Sequence, residues 1–151
     1  MFGMMSGNQV AVTNPAGLDL DAMLKSGVKG APDVQAMASR DAHSAAVLVW
    51  NYHDSERPAP PAPIRLEIAG VPPGRGLMHH YRVDQENSNA YEAWKKMGSP
   101  QKPTPEQYAQ LEKSGQLQLL EAPRWIRASE GNVRLEFSLP RHAVSLIRIE
   151  W

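Results

Sequence analysis

The chain has 151 residues, with 16 Lys plus Arg against 16 Asp plus Glu, 13 prolines, 11 glycines and no cysteine. The balanced charge offers no field to draw nucleic acid or an anionic membrane, and the lack of cysteine excludes disulfides, thiolate chemistry and Cys-ligated zinc. A single domain of this length hides roughly two-thirds of its unfolded surface without cross-links, and so much proline and glycine suits short strands joined by turns better than a helical bundle.

Met1 to Gly7 has no basic stretch or sustained apolar run, so neither an export signal nor a membrane span is expected. Localisation stays open between cytoplasm and periplasm, depending on what precedes this chain. Gln9–Thr13 and Asp33–Ser39 alternate weakly through Val10 and Val12 and through Val34, Ala36 and Ala38, and are predicted as strands. Between them, Asp19–Ser26 fits a short helix or a loop equally well. Ser44–His53 is too continuously apolar to be half exposed and reads as a central strand covered on both faces, with Trp50 in the core.

The proline-rich run Arg57 to Pro63 lacks ladder N–H groups and must be an extended connector. Ile64, Leu66 and Ile68 then alternate with Arg65, Glu67 and Ala69, the pattern of a strand with one buried face. Leu77–Gln85 is a further strand, with Met78, His80, Arg82 and Asp84 on one side and Leu77, His79, Tyr81 and Val83 on the other. The second face is the more apolar.

After Gln85 the period changes. Asn87 or Ser88 can cap a short helix that sets Tyr91, Trp94 and Met97 on one face before Gly98 and Pro100. Thr104-Pro105-Glu106-Gln107 has the form of a capping box with proline at the first helical position, so a second helix follows, carrying Tyr108 and Leu111 and stopping at Gly115. Three closing strands are predicted over Arg124–Ala128, Val133–Leu139 and Ala143–Trp151. The fold class is therefore mainly β: an antiparallel β-sandwich over residues 1–151 with a two-helix inserted loop at 86–115.

Chemistry is sparse along the chain. His79 and His80 point to opposite faces of a strand and cannot chelate one ion together, and no metal or cofactor is predicted. His43, His53 and His142 stand singly near strand ends, where exposure or a turn hydrogen bond is the default. Asp84 and Glu86 would share a strand face about 6.6 Å apart, near the spacing of paired glycosidase carboxylates, but acidic residues at a strand end are usually solvated. Tyr91 and Trp94 suit a sugar platform, although at helical spacing such aromatics more often anchor a core. No phosphate loop, nucleophile elbow or basic aromatic stripe is present.

The stretch HHYRVDQENSNAYEAWKKMGSPQKPTPEQYAQLEKSGQLQLL, His79 to Leu120, resembles the C-terminal region of glycoside hydrolase family 39, which includes β-xylosidases and α-L-iduronidases. The order is specific: Tyr81-Arg82-Val83-Asp84 closing a strand, a helix with Trp94 and Met97-Gly98-Ser99-Pro100, then Pro103 to Tyr108. Ala45 to Asp54, AAVLVWNYHD, resembles the bacterial β-xylosidase branch. The resemblance implies a (β/α)₈ barrel joined to a β-sandwich, with a retaining acid/base glutamate in Asn-Glu-Pro and a nucleophilic glutamate, both on the barrel. No glutamate here lies between Asn and Pro, and a barrel alone takes about 250 residues, so no catalytic residue carries over to this sequence.

What carries over is structural. The resemblance implies a non-catalytic accessory domain, a truncated frame or fragment, whose parent hydrolyses terminal β-D-xylosyl residues. Glu86 to Pro105 would lean on the parent's barrel, with Glu86, Asn87, Asn89, Tyr91 and Trp94 as the candidate barrel-contact or substrate-rim residues. The expected partners are that barrel and xylo-oligosaccharide, and the isolated chain is expected to self-associate through Tyr91, Trp94 and Met97. Two other readings stand beside it: a free-standing carbohydrate-binding module with Tyr91 and Trp94 as platform, and a small independent hydrolase using Asp84 and Glu86.

Overall fold

The computed structural model describes residues 1–151. The elements, in order, are β1 Asn8–Val10, α1 Leu20–Ser26, β2 Asp33–Arg40, β3 Ser44–Tyr52, β4 Ala62–Ala69, β5 Gly74–Val83, α2 Ala90–Lys96, α3 Pro105–Gly115, β6 Gln118–Leu119, β7 Arg124–Ala128, β8 Asn132–Leu139 and β9 Val144–Glu150, after a 3₁₀ turn at Phe2–Met4. All strand pairs are antiparallel, and they form two sheets. The larger has the order β1-β2-β3-β9-β5-β6, with β7 also on β5; the smaller is β4 with β8.

The two sheets face each other across one core. Val47 and Val49 of β3, Met78 of β5 and Ile147 and Ile149 of β9 meet Ile64 of β4 and Val133, Leu135 and Leu139 of β8. Each of the fully enclosed aliphatic side chains, Leu139, Ile147 and Ile149 among them, contributes roughly 1.5–3 kcal/mol by leaving water. Gly76 is fitted to this packing, since a Cβ there would come 2.8 Å from a methyl carbon of Ile149. The opposite face of the large sheet is also closed at its centre: Ala46, Leu48 and Leu146 are buried beneath Met1, Met4 and Met5. The continuous apolar run of β3 is thus explained, because both of its faces are covered.

Several expectations shift. Trp50 is only half-buried, because it lies at the end of β3, opposite Val144. β4 begins at Ala62 and contains Pro63, a position open to proline because β4 is the edge of a two-stranded sheet. Of the helix and the loop that Asp19–Ser26 fits equally well, the helix forms, and the Asp19 carboxylate accepts from Ala22 N–H. The more apolar face of β5 is not the buried one: Met78, His80 and Arg82 point into the sandwich, while Leu77, His79, Tyr81 and Val83 are half exposed. Polar groups can take core positions when each finds a partner, and those of β5 do.

The insertion between β5 and β6 is the two-helix excursion. α3 is set by its first four residues: Gln107 N–H donates to Thr104 Oγ1 at 3.3 Å, and Thr104 N–H donates to Gln107 Oε1 at 2.9 Å. Thr104→Ala should lower the unfolding free energy by about 1 kcal/mol, read as a shifted denaturation midpoint; an unchanged midpoint would show that α3 folds independently of the sandwich.

Candidate functional site at the helical excursion

The site is built on the end of β5. Arg82 is 3% exposed and uses its whole guanidinium: Nε donates to Ser145 Oγ at 2.7 Å, one terminal nitrogen donates to the Ser138 carbonyl at 3.1 Å, and the other lies 3.5 Å from Asp84. Its plane lies over Phe137, a cation–π contact. His80 meets the same Ser145 hydroxyl through Nε2 at 2.9 Å. Arg82 can only donate, so the hydroxyl accepts from Arg82, and it shares a second hydrogen bond with His80 whose direction follows the His80 tautomer. The other ring nitrogen, Nδ1, faces Glu121 at 3.8 Å. Burial, and after it the Arg82 charge, push His80 down to about 4, so it stays neutral at physiological pH.

Asp84 is buried, contrary to the solvated strand-end carboxylate expected, because the turn is wrapped around it. Its Oδ1 accepts from Glu86 N–H, Asn87 N–H and the Asn87 side-chain amide at 2.8, 2.8 and 3.0 Å, and its own carbonyl accepts from the Asn89 amide at 2.8 Å. Asn89, and not Asn87 or Ser88, caps α2, accepting from Glu92 N–H. Asn87 is already spent on Asp84, and Ser88 is held in the left-handed region at φ 54°, which is non-helical. The Ser88 hydroxyl instead ties the two ends of the excursion together, donating to the Arg82 carbonyl and accepting from Gln118 N–H, both at 2.8 Å.

The residues singled out from sequence therefore divide. Asn87 and Asn89 have their side chains committed to the turn. Glu86 is exposed, and so is Tyr91, at 62%. Trp94 is half-buried, with Nε1 donating to the Pro100 carbonyl at 3.0 Å and its ring stacked on Tyr91 at 5.7 Å. The aromatic pair is thus not the core anchor that helical spacing favours. Neither α2 nor α3 buries a residue fully, and they pack chiefly on each other. Beside Tyr91 a polar groove of about 450 Å³ runs to Arg57 and Arg141 past Asp84, Asn89 and Lys95. Lys95 lies 2.6 Å from Glu92, which holds its ammonium above the usual range.

Sequence reasoning missed His80, Arg82 and Ser145 as a unit. The signal was available only in part: alternation put His80, Arg82 and Asp84 on one face, but Ser145 joins them from β9, 63 residues beyond Arg82. His53 follows the turn default, accepting from Ser55 N–H at 2.8 Å. No three His, Asp or Glu residues gather closely enough to hold a metal ion, and no helix is long and apolar enough to cross a membrane.

Residues 13–133 match the family model described as Glycosyl hydrolases family 39. The α-L-iduronidase of Mus musculus is 30% identical over 152 residues, covering 99% of this chain and 24% of that protein. The chain spans about a quarter of the length of the curated relatives it matches. Among solved structures, a GH39 enzyme from Xanthomonas axonopodis pv. citri superposes with a TM-score of 0.69 at 20% identity, over 77% of this chain and 26% of that one. A monomeric β-xylosidase from Caulobacter crescentus CB15 gives 0.65 at 23% identity, over 85% and 29%. At these identities the two structures establish a shared fold.

Proposed function

Because the chain belongs to glycosyl hydrolases family 39, we propose that it is the accessory β-sandwich of a retaining glycoside hydrolase, holding the excursion against a catalytic barrel. The parent reaction in this proposal is hydrolysis of terminal β-D-xylosyl residues, and the relationship to the Mus musculus α-L-iduronidase favours terminal α-L-iduronosyl residues as the second reading. The observation that carries the accessory role is the state of the excursion: a rigidly anchored two-helix element with no fully buried side chain, presenting Tyr91 and Glu86 to solvent. An element so firmly tied yet so little buried is suited to receive a second surface, and the same surface gives the isolated chain a route to self-association.

The geometry argues against catalysis by Asp84 and Glu86. Retaining hydrolysis needs two carboxyl groups facing one sugar, whereas Asp84 Oδ1 is filled by three N–H donors and Oδ2 faces Arg82. The test is to assay the purified chain on aryl β-D-xyloside and aryl α-L-iduronide and to titrate it with xylo-oligosaccharide. No turnover and no saturable binding are expected. Turnover abolished by Glu86→Gln would establish the independent hydrolase instead, and binding lost in Tyr91→Ala would establish the carbohydrate-binding module.

A further inference from the structure

The small sheet leaves part of the large one uncovered. Two grooves, of about 470 and 420 Å³, run end to end along β4. Their floor is the inner face of β2 and the strand segment before it: Val34, Ala36 and Ala38, with Val10 and Val12 each 40% exposed. Their wall is β4, which pairs with β8 on one side only. Pro63 lies within β4 and has no N–H, so it belongs where no ladder partner waits. The residues in phase with it, Arg65, Glu67 and Ala69, therefore turn their backbone N–H and C=O groups to the grooves.

We propose that this edge receives an extended polypeptide segment, antiparallel to β4, with the pattern apolar–basic–apolar–acidic–apolar. Strand addition satisfies the free backbone groups and lets alternate side chains cover the apolar floor. Charge complementarity sets the pattern and its direction, and β8 displays the solution on the opposite edge. There Arg65 stands across from Glu136, and Glu67 across from Arg134, with side-chain contacts at 3.5 and 3.3 Å. Ile64, Leu66 and Ile68 stand across from Phe137, Leu135 and Val133 on the core side. A segment of the same pattern on the free edge would place an acid beside Arg65 and a base beside Glu67, extending alternating charge over the outer face. A second folded copy does not fit symmetrically, because its own β1 and β2 would project past its β4 into the same space.

The probe is a synthetic peptide with the β8 sequence, NVRLEFSL, compared with its charge-exchanged form, NVELRFSL. The first is expected to bind the full chain and to slow hydrogen exchange at the Arg65 and Glu67 amides, and the second to bind about fivefold more weakly. The double variant Arg65→Glu plus Glu67→Arg should reverse that order, and it keeps the core intact because both side chains are exposed. Absence of binding at millimolar peptide, equal affinity for both peptides, failure of the double variant to reverse the preference, or protection that omits Arg65 and Glu67 would each overturn the proposal.

Discussion

Replacing Arg82 with methionine is expected to lower the unfolding free energy by about 3–5 kcal/mol, the range for breaking a buried charge pair from one side. The side chain is 3% exposed, and Asp84 is 8% exposed, so the carboxylate left behind cannot recover its hydration. The Ser138 carbonyl loses its donor as well. Chemical denaturation monitored by far-UV circular dichroism would read the change. A second measurement separates the network from simple packing: amide exchange at Glu86 and Asn87, which depend on Asp84, should accelerate more than exchange along β3. A loss below about 1 kcal/mol, with those two amides still protected, would show that Arg82 does not organise the excursion.

The second large effect is a dependence of stability on pH carried by His80. In the folded chain its pKa is lowered from 6.5 to about 4, with Arg82, Glu121 and Arg124 as the charged groups facing it. Below pH 6.5 the unfolded chain takes up a proton that the folded chain refuses, so the unfolded state gains. Stability should therefore be fully present above pH 6.5, fall as pH drops towards 4, and level off below that. The amplitude is about 3 kcal/mol, from 1.36 kcal/mol per pKa unit. In the protonated ring Nε2 can only donate, so the Ser145 hydroxyl would have to accept there as well as from Arg82. His80→Gln removes the titration, so wild type and variant should diverge across this interval; parallel profiles between pH 7 and 4 would refute the assignment.

Much of the fold could be read from residue order because local chemistry and tertiary structure agree. The Thr104 capping box, the alternation of Ile64, Leu66 and Ile68, and the bounds of β7 at Arg124 and Ala128 all recur in the coordinates. The failures lie where a distant partner decides. By alternation β5 offers Leu77, Tyr81 and Val83 as its more apolar face, yet it buries His80 and Arg82 because Ser145 and Phe137 arrive from β9 and β8 to satisfy them. Asn89 won the cap of α2 from its neighbours because Asp84 had claimed Asn87. At the candidate site, the aromatic spacing of Tyr91 and Trp94 was visible, but their exposure was not, since it depends on the excursion projecting from the sandwich.

The position of β9 has a consequence for how the chain is made. It lies between β3 and β5, and its Ile147 pairs with Val47, a residue synthesised a hundred positions earlier. At ribosomal speed the most apolar strand of the molecule waits roughly 5–20 s for its neighbour. During that interval β1, β2 and β3 can form only a three-stranded meander, with the β3 edge open and the inner face of Val47 and Val49 still lacking β8 and β9. Non-local pairing of this kind folds slowly and is vulnerable while it waits, so the yield of soluble product should be governed less by the final stability of the sandwich than by what shields β3 until β9 emerges.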